Sequence, residues 1–119
     1  MREDKHMINF PQDFLWGTST SGPQTEGRFA GDGKGDNLWD YWYQVEPHRF
    51  RFQEGPGLTS TFYENWEEDI ELLVETGHTA FRTSIQWSRI FPKGRGEVNP
   101  VGVAFYRQVF ERIKSKGIH

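Results

Sequence analysis

The sequence contains no cysteine, which excludes disulfides and thiolate metal centres and fits a reducing compartment. It has no surplus of positive charge either. Against 17 Asp and Glu stand 14 Lys and Arg, a formal net charge of -3, so the broad electropositive surface of a nucleic-acid binder is missing. Long apolar runs are also absent. The opening "MREDKHMINF" mixes charges of both signs before Phe10 and reads as neither a secretory signal nor a membrane span. Neither nucleic acid nor membrane is an expected partner. What the chain has in excess is aromatic surface: 16% of residues, five of them Trp, in a chain only 34% hydrophobic. Such flat faces must pack a core or meet a ligand, and sugars favour them. The length of 119 residues suits one domain, taken as residues 1–119.

Along the chain, Pro11 and Asp13 punctuate the start of a short strand predicted over Phe14 to Thr18, and Gly17 opens a polar loop. The stretch "GRFAGDGKGDN" holds four glycines in eleven positions and reads as an exposed loop. A short helix is expected in "NLWDYWYQVEP", with Asn37 as N-cap and Pro47 past its end. "HRFRFQEGPGLTS" breaks into loop chemistry at Gly55-Pro56-Gly57. In "TFYENWEEDIELLVETG", Thr61 and Glu64 have capping-box spacing, Trp66, Ile70, Leu73 and Val74 share one helical face, and Gly77 ends the helix. A strand follows in "TAFRTSIQW", with Phe81, Thr83, Ile85 and Trp87 on one side and Ala80, Arg82, Ser84 and Gln86 on the other. Asn99 and Pro100 start a second long helix with Val103, Tyr106, Phe110 and Ile113 as its apolar stripe, closed by Gly117. Ile118-His119 stands where another strand would begin. Helix, strand, helix and strand start are the rhythm of a parallel α/β sheet.

Several chemical motifs are excluded by single residues. A Walker A loop would need glycine at Arg28 and Ser or Thr at Gly35, and G-x-G-x-x-G fails at Asp36 or Leu38. Asp32 and Asp36 do not meet calcium-loop spacing and read as solvated. His6, His48, His78 and His119 are scattered without a zinc pattern, and Ser21 occupies a glycine position of the serine-hydrolase elbow. No cofactor and no metal is therefore expected. Glu67, Glu68, Asp69 and Glu71 lie in the first turns of a helix, where the dipole favours negative charge, rather than forming a hydrolytic pair. Glu26, a lone acid beside Gly27, carries no mechanism by itself.

Two residues keep a functional alternative open. Arg82 in mid-strand is either solvated at an open sheet edge or, if that face is enclosed, paired with a carboxylate whose pKa it lowers. Arg89, in the loop after the strand, reads as a tie between loop and helix. Gln24, in "GTSTSGPQTEGRF", is either an ordinary turn residue or the rim of a ligand site. An amide suits the second role because it donates and accepts at once.

Three blocks in order, "FPQDFLWGTSTSGPQTEG", "FYENWEEDIELLVETGHTAFRTSIQWSRIFP" and "NPVGVAFYRQVFERIKSKGI", resemble the N-terminal part of a glycoside hydrolase family 1 enzyme. The wording "TSTSGPQTEGRF" is similar to that of the bacterial 6-phospho-β-glucosidases of the family. The resemblance implies an α/β fold, the first two βα units of a (β/α)8 TIM barrel, incomplete in this chain. It implies a retaining double displacement using two glutamates. Gln24 then matches the glutamine that bonds hydroxyls of the non-reducing sugar, and Arg82 the arginine beside the nucleophile. Neither the Asn-Glu-Pro block nor the Glu-Asn-Gly block with the catalytic glutamates occurs in the 119 residues.

A barrel of this kind takes about 250 residues, so the isolated chain is expected to be inactive. The implied substrate is a β-glycoside, 6-phosphorylated, in carbohydrate catabolism, and the implied location is the cytoplasm, where such substrates are made during uptake. The competing reading is a non-catalytic carbohydrate-binding or self-associating module. Under either, unpaired strand edges and unpartnered apolar stripes are expected to drive self-association.

Overall fold

The computed structural model describes residues 8–119. His6 lies outside them. The elements run β1 (Gly17–Ser19), α1 (Gly22–Thr25), α2 (Leu38–Val45), α3 (Phe62–Glu75), β2 (Ala80–Arg82), α4 (Trp87–Ile90) and α5 (Pro100–Ser115), with two 3₁₀ turns at Pro47–Arg49 and Arg51–Gln53. β1 and β2 pair in parallel, Gly17 with Ala80, Thr18 with Phe81 and Ser19 with Arg82. The chain comprises the first two βα units of a (β/α)8 barrel, with the sheet open. Growth of that sheet has begun on one side: His119 N–H donates to Thr79 O (2.9 Å), and Phe81 N–H donates to His119 O (2.8 Å).

Helices α5 and α2 start as their sequences require. Asn99 caps α5 by accepting from Val101 N–H, and Pro100 occupies its first turn. Asn37 caps α2 with a full capping box shared with Asp40. α3 lacks the box its sequence advertises. Thr61 sits at φ 58°, in the left-handed region, makes no cap bond, and accepts from Asn65 Nδ2 instead of serving the backbone.

The core lies between α3, α5 and one face of β2, built from Phe62, Ile70, Phe105, Tyr106, Val109, Ile113 and Ile118, with Phe81, Trp66 and Leu73 against it. Ile70 and Ile113 were expected there. Phe110 and Val74 were too, but both are exposed. The buried stripe of α5 is Gly102, Phe105, Tyr106, Val109 and Ile113, turned from the expected one because Gly102 meets α4: a Cβ there would come within 2.3 Å of Arg89 O.

Both strands differ from their sequence readings. β1 starts at Gly17, after Phe10, Phe14 and Trp16 have packed their rings in tilted and edge-to-face contacts, 4.6–4.8 Å between ring centres. β2 stops at Arg82 instead of running to Trp87, and the alternation inverts beyond it. Ile85 and Trp87 are 53% and 63% exposed while Gln86 is buried. Polar bonding ends the strand: Ser84 Oγ accepts from Gly22 N–H, Gln86 N–H donates to the Tyr106 hydroxyl, and Trp87 opens α4.

The exposed surface totals 9178 Å², against about 6,700 Å² expected of a compact monomer of this mass. The excess includes large apolar side chains such as Leu38, Leu72 and Trp87.

Candidate functional site

Because the strands are parallel, their carboxyl ends share one edge, and the segments leaving them are tied together there. Thr20 N–H donates to Arg82 O (2.9 Å), and Gly22 N–H donates to Ser84 Oγ (3.0 Å). Gln24 lies on α1, directly beyond β1, and is exposed. Ser21 Oγ donates to its Oε1 at 2.6 Å, and its side-chain Nε2 has no bond among the described residues. Gln24 borders a hollow of about 340 Å³ with Pro23, Trp39, Phe50, Glu54 and Pro56.

Arg82 closes β2. Phe81 packs toward the helices, so strand alternation turns Arg82 to the opposite face, the inner face of the barrel. There it is exposed and forms no ion pair among the described residues. Sheet order therefore brings Gln24 and Arg82 to one edge; the carboxylate expected beside Arg82 is not among the residues described.

Behind this edge lies a buried polar cluster that the sequence reading divided among unrelated roles. Arg89 is 0% exposed and sits in α4 rather than in a loop. Its Nε donates to Glu26 Oε2 (2.8 Å), one terminal nitrogen to Asp32 Oδ2 (3.0 Å) and the other to Gly27 O (2.9 Å). The guanidinium also lies 4.2 Å from the Tyr63 ring centre. Three donors from the second unit converge on the Glu26 carboxylate: Arg89, Gln86 Nε2 (3.0 Å) and the Tyr106 hydroxyl (2.7 Å). Glu26 is thus a buried hub, and Asp32 is no solvated loop acid. Gln86 extends the cluster outward, its Oε1 accepting from Asn37 Nδ2 at 2.8 Å, and Asn99 Nδ2 donates to both Asp32 O and Arg89 O.

The electrostatics follow from this geometry. Burial raises the Asp32 carboxyl, but the Phe29 and Lys34 amides and Arg89 outweigh it and hold the pKa below the usual carboxylate range. Burial, reinforced by the Glu26 charge, drives the Tyr106 hydroxyl well above the usual tyrosine range, so it stays protonated and can donate. Burial works to discharge Arg89, but Glu26 and Asp32 hold it charged. The cluster can fix loops in place, but being enclosed it offers no group to a substrate. One sequence signal pointed to it: Asp32 stands between two glycines and Glu26 beside one, residues that let backbone approach.

The chain matches the model of "Glycosyl hydrolase family 1" over residues 6–119. The 6-phospho-beta-glucosidase GmuD of Bacillus subtilis is 51% identical over 109 residues, covering 92% of this chain and 23% of that protein. Beta-glucosidase 3 of Arabidopsis thaliana is 43% identical over 110 residues, 92% of this chain and 21% of that one. A solved beta-glucosidase from Thermotoga maritima, in complex with cyclophellitol, superposes with a TM-score of 0.85 at 37% identity, covering 92% of this chain and 25% of the other. An aphid myrosinase does so with 0.88 at 31% identity, covering 93% and 24%. The chain thus spans about a quarter of the length of the relatives it matches. With strand order, the sequence blocks and these likenesses in agreement, the chain belongs to glycosyl hydrolase family 1.

Proposed function

We propose that these residues form the N-terminal quarter of a retaining β-glycosidase that hydrolyses 6-phosphorylated β-glucosides in the cytoplasm. Gln24 brackets hydroxyls of the non-reducing sugar, and Arg82 flanks the nucleophilic glutamate, lowering its pKa by an opposite charge. The observation that carries this reading is the exposed Gln24 amide on the turn after β1, at the same strand edge as Arg82. The carboxyl edge of the strands is where barrels of this class build their sites. The 51% identity to a 6-phospho-beta-glucosidase supports the phosphorylated substrate class. Phosphorylated sugars arise during uptake, which motivates the cytoplasmic location.

The test is a chimaera in which these residues replace the matching quarter of the Bacillus subtilis relative. It should hydrolyse a chromogenic 6-phospho-β-glucoside, and Gln24→Ala should lower its kcat/KM about a hundredfold, the scale of a lost contact that strengthens in the transition state. A folded chimaera indifferent to Gln24→Ala would sink the assignment. The 119 residues alone, without either catalytic glutamate, should show no turnover. The exposed apolar surface favours self-association of that isolated chain, which light scattering over a concentration series would detect and a well-folded monomer at micromolar concentration would refute.

A further inference from the structure

α1 is a single turn of four residues, and its N-cap Ser21 makes no capping bond. A turn this short has no stability of its own, so its orientation is set by what holds its ends. At the start, Gly22 N–H is held by Ser84 Oγ, and Gly22 lies so close to Gln86 that a Cβ would come within 2.3 Å of Gln86 Cγ. At the other end, Glu26 closes the turn through its own N–H to Gly22 O (3.0 Å). Its carboxylate is then held by Gln86, Arg89 and Tyr106.

We infer that Tyr106 and Gln86 are positioning residues: acting through Glu26, they fix the α1 turn so that Gln24 meets its ligand in one orientation. This rests on the glycone role of Gln24 proposed above. Tyr106 belongs to a 16-residue helix seated in the core, so its hydroxyl is a fixed point. That oxygen donates to Glu26 Oε1 and accepts from Gln86 N–H, both at 2.7 Å. Deleting that one atom therefore removes one of the three side-chain bonds to Glu26 together with the bond to Gln86 N–H, leaving two buried polar groups to find new partners. Gln24 itself touches neither residue through any hydrogen bond, so the influence must travel through the turn.

The experiment uses the chimaera, with Tyr106→Phe made alone and together with Gln24→Ala. The readouts are kcat and KM on the chromogenic 6-phospho-β-glucoside and the inhibition constant of a glucose-derived, non-hydrolysed inhibitor. Tyr106→Phe alone should lower kcat/KM about tenfold and weaken the inhibitor comparably, but by less than about twofold when Gln24 is already alanine. Gln86→Met, which keeps side-chain length and loses the amide donor, should show the same dependence and serves if Tyr106→Phe does not fold. Equal losses in both backgrounds, or no loss, would overturn the positioning role while leaving Gln24→Ala harmful. If Gln24→Ala is itself silent, the glycone reading falls and takes this inference with it.

Discussion

The two faces of the strand pair differ in completeness. Toward the helices, Phe81 meets a closed layer in which Ile70, Val109 and Ile113 are buried and each guanidinium nitrogen of Arg89 has an acceptor. On the opposite face, Arg82 and its register partner Ser19 stand exposed. The difference separates what holds the fragment from what would act on a substrate. Contacts between segments far apart in sequence close one face, whereas the other, which carries the proposed site residue Arg82, is left for further strands to enclose.

The largest expected effect falls on the closed side. Arg89→Met in the chimaera should destabilise by about 3–5 kcal/mol, because Glu26 and Asp32 would remain buried without their cation. A urea titration measures it, and a change under about 1 kcal/mol would mean the cluster is wetter than its burial indicates. Ile70→Ala should cost about 3 kcal/mol through a cavity between α3 and α5. Leu72→Ala on the exposed side of the same helix should leave the titration within about 0.5 kcal/mol of the parent. On the open face the order reverses. Arg82→Met should shift the unfolding curve far less than Arg89→Met does, yet lower kcat about a hundredfold, a loss of stabilisation of the charged site. A large stability loss without a loss of kcat would erase the distinction between the faces.

The smallest effect concerns acid. Asp32 has a folded pKa below its unfolded value of about 3.9, so its contribution is present above that value and is lost as pH falls through the folded one. Asp32→Asn should therefore flatten the fall in stability below about pH 4. Unfolding titrations at pH 3 and pH 6 would show it, and an unchanged slope would remove Asp32 from the list of acid-sensitive groups.

The parts of the fold legible in the sequence are those whose signals are local. α3 and α5 follow from spacing within a single helix, while Asn99 and Pro100 mark the start of α5 and Asn37 that of α2 as expected. The strand beyond Arg82 was misread because alternation also occurs where side chains are drawn to partners far along the chain, as Gln86 is to Glu26, 60 residues away. The α3 capping box failed for the opposite reason: a left-handed Thr61 puts its hydroxyl out of reach of the helix amides. The pairing of Gln24 and Arg82 at one edge came from family resemblance, since nothing in their own neighbourhoods sets them together. The Glu26–Arg89–Asp32 cluster escaped because each member, taken alone, has the sequence environment of a solvated charge.

The bonds of His119 to β2 carry a consequence for assembly. Pairing β1 with β2 joins residues 63 apart, as in the bond from Trp16 N–H to Thr79 Oγ1, and closing so long a loop is slow and entropically unfavourable. His119 meets an edge already formed, where Thr79 O and Phe81 N–H are held ready. The β1–β2 ladder thus carries the loop-closure cost, whereas His119 adds to an edge whose donor and acceptor are already in place.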